Sequence, residues 1–181
     1  MGMEPYLKAL ADDPDIIIAG RSYDPAPFAA YAVYHGMNAG PAWHCGKIME
    51  CGGICAVPKG RSMLATVRKG HFDLVPLNLA ERCTPLSVAA HTLYEKTRPD
   101  ILPGPGGELH LEKARYTQLE DGRTVRVDGA EFVPKPYEVK LEAARIMGYR
   151  TIFIGGVRDP ILLDQIDQFL AAVHKCEYCA G

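Results

Sequence analysis

No run of apolar residues in this sequence approaches the roughly 20 needed to cross a membrane as a helix. The first residues also lack the apolar stretch of a secretory signal. These absences lead us to expect a cytoplasmic protein that meets no membrane. An excess of charge of one sign is missing as well: 20 Lys and Arg stand against 22 Asp and Glu, a net charge of −2. With no cluster of Lys and Arg interleaved with aromatics, the balance argues against nucleic acid as a partner. There is no GxGxxG fingerprint, no P-loop, no GxSxG elbow and no HExxH, so no nucleotide motif is present and the cofactor is left open. PGPGGE, at Pro103 to Glu108, precedes a strand pattern instead of a helix and reads as a turn. A disulfide framework is absent too. The six cysteines are not spaced like one, and Cys176 and Cys179 form a lone C-x-x-C, half the ligand set of a structural zinc site.

What is present is ordinary for a globular protein. Apolar residues make up 48% and charged residues 23% of 181 positions. A chain of this length buries roughly two-thirds of its unfolded surface, and it is expected to form a single domain over residues 1–181.

Asp15 to Ala30, DIIIAGRSYDPAPFAA, reads as strand, polar loop and helix. The Ile run is that of a strand covered on both faces, Gly20 ends it, and Asp24 before Pro25 is a helix-start signal. Thr151 to Asp159, TIFIGGVRD, with Pro160, repeats the construction. If both strands share a parallel sheet, both loops lie at its carboxyl edge, where open α/β sheets bind ligands. The expected fold class is therefore α/β: a mixed sheet with strand–loop–helix units whose helices are capped by Asp-Pro, and a β-rich antiparallel excursion around residues 108–144.

Along the chain, Met3 to Ala11 has helical spacing with Pro5 in its first turn. A second helix runs from Pro25 to about Tyr34 and stops at Gly36. A third starts at Pro41 and continues through PAWHCGKIMECGGICA. His44, Lys47 and Cys51 share one of its faces, with Glu50 beside them. Gly46, Gly52 and Gly53 in that helix imply very close packing against a backbone or a ligand. Met63 to Arg68 and Phe72 to Leu77 form a hairpin. Thr84-Pro85 caps a fourth helix carrying Ser87, His91 and Glu95 on a polar stripe. Arg98 to Gly107 is a loop, Glu108 to Val133 alternates as short strands with a turn at Asp121-Gly122, and Tyr137 to Ala144 is a further strand candidate. Pro160 to His174 is the last amphipathic helix.

The polar residues at element starts suggest a site. Arg21, Ser22, Asp24, Arg82, Thr84, Ser87, Arg158 and Asp159 combine guanidinium forks and hydroxyls with helix N-termini, a set suited to a carboxylate or phosphate. His44 and His91 are the candidate general acid–base groups, and Lys47 is a candidate base or Schiff-base amine. Cys83, beside Arg82 at a helix start, is a possible low-pKa thiol. His44 and Glu50 with His91 or His71 could hold a divalent metal, though no spacing is diagnostic. Each of these has a plainer reading as a cap, a solvated charge or a packed core residue.

GRSYDPAPFAA, GPAWHCGKIMECGG, RCTPLSVAAHTLYE, the stretch ending VKLEAA and GYRTIFIGGVRDPILLDQID, in this order, resemble the acyclic terpene utilisation (AtuA-like) family over nearly the whole chain. The resemblance implies a cytoplasmic protein encoded with enzymes that degrade citronellol- and geraniol-type acids as CoA thioesters. It names a pathway and no reaction. Members of the family are longer, with another α/β region ahead of the segment matching MGMEPYLKAL, so the chain resembles the family's C-terminal portion. Small companion proteins in the family imply homo- or hetero-oligomers. The expected function is that of an enzyme or enzyme subunit acting on a small anionic organic acid or its CoA thioester. A lyase or hydratase is the reaction type reached by elimination. The alternative is a non-catalytic subunit that completes a partner's site.

Overall fold

A helix that is apolar or small-sided all round can bury every face, and the third helix does so. In the computed structural model α3, Ala39–Met49, is buried without a break from Gly40 to Ile48. The structure describes residues 1–96, 98–138, 141, 143–152 and 154–175. It divides into two units, Met1–Leu141 and Glu142–Gly181.

In the first unit α1 (Glu4–Leu10), α2 (Ala26–Tyr34) and α3 come first, followed by a 3-10 turn at Gly52–Cys55. Strands β1 (Ala56–Val57), β2 (Met63–Val67), β3 (His71–Pro76) and β4 (Arg82–Cys83) precede α4 (Pro85–Thr92). Strands β5 (Ile101–Gly104), β6 (Gly107–His110), β7 (Arg115–Gln118), β8 (Val125–Asp128) and β9 (Glu131–Pro134) complete it. They form three antiparallel sheets, ordered β1-β4, β2-β3-β8-β7 and β5-β6-β9.

Two apolar clusters flank α3. Ala26, Ala29 and Ala32 of α2 meet Ala42 and Trp43 of α3 and Leu102 and Leu109 of the three-stranded sheet. On the other side Cys45 and Ile48 of α3 and Val88 of α4 meet Phe72, Leu74, Val125 and Val127 of the four-stranded sheet. Strand β3 alternates between half-buried and buried along its length, as a strand with one face on a core must. On its other face Asp73 stands opposite Arg126 and accepts from Nε and Nη2 at 2.8 and 2.9 Å. Arg123 secures the loop after β3: it donates to the carbonyls of Pro76, Asn78 and Glu81 at 2.8, 2.8 and 3.0 Å.

Much of the local reading holds. Gly36 takes φ 82° and stops α2, with Met37 N–H donating to Ala32 C=O at 3.0 Å. The hairpin of β2 and β3 is present. In the Asp121-Gly122 turn the Asp121 carboxylate accepts from the backbone of Arg123 and Thr124. Thr84 and Ser87 form a reciprocal capping box on α4. The close packing inferred from glycine is observed: a Cβ on Gly46 would lie 2.6 Å from the Pro25 carbonyl oxygen, and one on Gly53 2.6 Å from that of Gly60.

Other expectations are corrected. Helix and strand do share one unit, but among the described residues neither Ile-rich segment joins a sheet. Asp15 to Ala19 is in no strand, with Ile16 78% and Ile18 95% exposed. Thr151, Ile152 and Ile154 are likewise in no strand, and Phe153 lies outside the described residues. An apolar run reports a demand for cover, and a strand forms only where a neighbour supplies the ladder. Asp24 is not the α2 cap. Pro25 takes that place, and Ala26 N–H donates to the Tyr23 carbonyl at 2.8 Å, closing a turn one residue later. The third helix ends at Met49 because Cys51, at φ −132°, leaves helical geometry ahead of the paired glycines. The Pro- and Gly-rich loop contains β5, whose Pro103 sits on an edge strand where a missing donor is tolerated. Of Tyr137 to Ala144, residues Val139, Lys140 and Glu142 lie outside the described set, and the rest form no strand. In the second unit the last helix breaks at Gln165 into α5 (Pro160–Asp164) and α6 (Ile166–His174).

Gly46→Ala tests the packing of α3. Propensity alone favours alanine by about 1 kcal/mol, but the Cβ meets a backbone carbonyl that cannot swing aside. Net destabilisation of about 1–3 kcal/mol is expected, read as a lower urea midpoint at unchanged m-value.

Candidate functional site

Helical periodicity gives α3 two polar positions inside the protein. Lys47 is 3% exposed, and its Nζ pairs with the Glu50 Oε1 one turn on, both side chains almost wholly out of water. Such a pair is held together by the cost of stranding either charge. Tyr23, in the loop before α2, packs on Trp43 with ring centroids 5.8 Å apart. Its hydroxyl accepts from Lys96 Nζ at 3.0 Å. Burial pushes the Tyr23 phenol up to about 12, with Glu50 adding to the shift and Lys47 opposing it, so the phenol keeps its proton.

His91 reaches the same region from α4. It is buried, at 6% exposure, and stacks on Tyr94 at 5.7 Å. Its Nε2 is buried with no partner. Burial, and then the nearby Lys47 and Lys59, hold the ring below its ordinary pKa. Lys47, Glu50 and Tyr23 thus lie near the end of α3, with His91 close enough for the Lys47 charge to bear on it.

His44, one position round the helix, has a different setting. It is fully buried, with Nε2 3.1 Å from Thr92 Oγ1 and the rings of Phe72 and Tyr116 edge-on to it. Thr92 spends its proton on the Val88 carbonyl at 3.1 Å, and the Tyr116 hydroxyl donates to Thr92 at 3.2 Å. Thr92 Oγ1 can therefore only accept from His44, which places the imidazole proton on Nε2 and a lone pair on the unpartnered Nδ1. Burial lowers its pKa to about 3.

The remaining sequence candidates are dispersed. Arg21 is 90% exposed and pairs with Asp24 at 3.4 Å. Ser22 Oγ is hydrogen-bonded to the Tyr6 hydroxyl at 2.8 Å. Arg82 is exposed on β4, and the Thr84 and Ser87 hydroxyls are engaged in the capping box. Arg158 and Asp159 belong to the second unit, where Asp159 accepts from Ile161 N–H and Leu162 N–H at 2.9 and 3.1 Å and caps α5. Cys83 is fully buried; a hydrogen bond from Cys55, helped by Arg123, draws its thiol down against the effect of burial. Among the described residues no three His, Cys, Asp or Glu side chains converge as a metal site, and Cys176 and Cys179 lie outside them. Sequence reasoning missed Tyr23, Thr92, Lys96 and Tyr116 as members of these networks. Each joins its network across many residues of chain, which no local pattern announces.

Among the described residues no helix is long and apolar enough to cross a membrane. The family model described as acyclic terpene utilisation family protein AtuA matches residues 1–175. No curated protein and no solved structure matches the chain.

The His44 network sets a pH dependence. In the unfolded chain the ring titrates near 6.5 and in the fold near 3, so below 6.5 the unfolded state binds the extra proton. Stability is fully present above pH 6.5 and falls as pH drops toward 3, by at most tenfold in the folding constant per pH unit. Urea titrations from pH 7.5 to 4 check this, with His44→Gln expected to flatten the slope.

Proposed function

The chain belongs to the acyclic terpene utilisation family, and from that premise we propose that it is an enzyme, or a subunit of one, acting on a small carboxylic acid or its CoA thioester. The observation that carries the reading is the group formed by His91, whose buried Nε2 has no partner, and the buried Lys47–Glu50 pair. A neutral imidazole with an unpartnered ring nitrogen is equipped to take a proton from a carbon beside an acyl carbonyl. An ammonium nearby favours the charge that develops on the carbonyl oxygen. Lyase or hydratase chemistry uses such proton transfers. In this reading Lys47 and His91 carry the chemistry, with His44 bracing α3 against α4 through Thr92 and Tyr116. Arg21, exposed two residues before Tyr23, meets the anionic head of the substrate.

A second reading, a non-catalytic subunit in the cytoplasm completing a partner's site, has its own support. Ile16 and Ile18 present apolar side chains to solvent, the kind of surface a partner chain covers.

The test is a thermal-shift and calorimetric screen of the purified chain against branched and unsaturated carboxylic acids and their CoA thioesters. A ligand that binds the fold alone raises the melting temperature by mass action. His91→Asn is expected to reduce turnover at least 100-fold and Arg21→Ala to weaken binding several-fold. Lys47→Met strands Glu50 at a cost of about 3–5 kcal/mol, so Lys47→Met with Glu50→Gln is the companion variant. Binding and turnover untouched by His91→Asn and Arg21→Ala would overturn the enzyme assignment. A chain that migrates as a monomer in light scattering would count against the subunit reading.

A further inference from the structure

A second cavity lies away from the Lys47 group. It is about 590 Å³ in volume and opens between α2, α3 and β2, within the size range of small-molecule sites. Cys45 and Met49 of α3 line it. Each stands two positions from Lys47, about 200° round the helix and so on its opposite face. Ala32 of α2 and Ala65 of β2 keep the space open where a longer side chain would fill it. Phe28, Tyr31 and Leu64, 42%, 59% and 50% exposed, stand at its opening.

The chemistry of the wall restricts the occupant. Among the described residues no Asp, Glu, Lys or Arg lines the cavity, so a carboxylate or phosphate inside it would lose water with no counter-charge. The polar groups available are the Tyr31 hydroxyl, the His35 imidazole, whose ring meets that of Tyr31 at 4.5 Å, and the Cys45 thiol. Burial holds that thiol up near 12, so it stays uncharged. Met37, Met49 and Met63 contribute flexible, polarisable side chains that adapt to an irregular apolar shape.

We propose that this cavity is a binding site for a neutral aliphatic chain carrying at most one hydroxyl or carbonyl group, with the chain against the methionines and the oxygen toward Tyr31 and His35. The site is separate from the Lys47–His91 group and does not depend on the function proposed for it.

The experiment uses the full chain and the neutral fluorophore N-phenyl-1-naphthylamine. Saturable binding is expected, with displacement by 1-decanol at least tenfold more effective than by decanoate at pH 8. Ala65→Phe should lower 1-decanol affinity at least tenfold, while His91→Asn should leave it unchanged; the second variant separates this site from the one proposed above. Should Ala65→Phe fail to fold, Leu64→Arg places a cation at the exposed opening at little structural cost, and it should turn the preference toward decanoate. Three results would each overturn the proposal. These are absence of saturable probe binding, equal displacement by alcohol and acid, and a Leu64→Arg variant with unaltered preference. Equal displacement is also the result expected if the cavity instead receives an apolar peptide helix.

Discussion

A helix buried on every side has to approach its neighbours at backbone distance, and that constraint governs the first unit. In α3 the residues at the points of closest approach are glycines: Gly40 lies against the Ala130 backbone and Gly46 against the Pro25 carbonyl. Because the helix can come that close, both apolar clusters use it as a shared wall. Its polar side chains are carried inside along with the rest. Lys47 is buried because its helix is, and it pairs with Glu50 at the helix end. His44 has no carboxylate and stays neutral within a hydroxyl network. The same burial yields a paired cation at one position and an uncharged ring three residues earlier.

What was legible in the sequence was mostly local. The α2 stop at Gly36, the Thr84 cap of α4, the β2–β3 hairpin and the Asp121-Gly122 turn each depend on a few adjacent residues, and each is observed. The glycines of α3 announced close contact without saying with what. Ile16 to Ile18 misled because hydrophobicity states that a segment needs cover and leaves the partner unnamed. His91 was ambiguous for a related reason: its neighbours on α4 gave it a polar stripe, while the fold buries it. The grouping of Tyr23 with Lys47 and Lys96 joins positions far apart in the chain, and periodicity carries no information about such meetings.

The two sides of α3 also differ in what they exclude. One end carries the Lys47–Glu50 ion pair. The opposite face opens onto a roomy wall of methionine, alanine and aromatic rings with no charge. A single helix thus separates a polar interior from an apolar one. A side-chain change on one face has little reason to disturb the other, since positions two apart on a helix do not touch.

Arg123 sets an order of events on the growing chain. Its guanidinium takes up the carbonyls of Pro76, Asn78 and Glu81, all more than 40 residues upstream. During synthesis those carbonyls leave the ribosome long before their donor and must be satisfied by water until it emerges. Strand β3 waits as well, because β8, which completes its second edge, follows Arg123 directly. The four-stranded sheet therefore closes late, after its first hairpin has stood for some time as an open edge. A pause in translation between these segments would lengthen that exposure without altering a single contact of the finished fold.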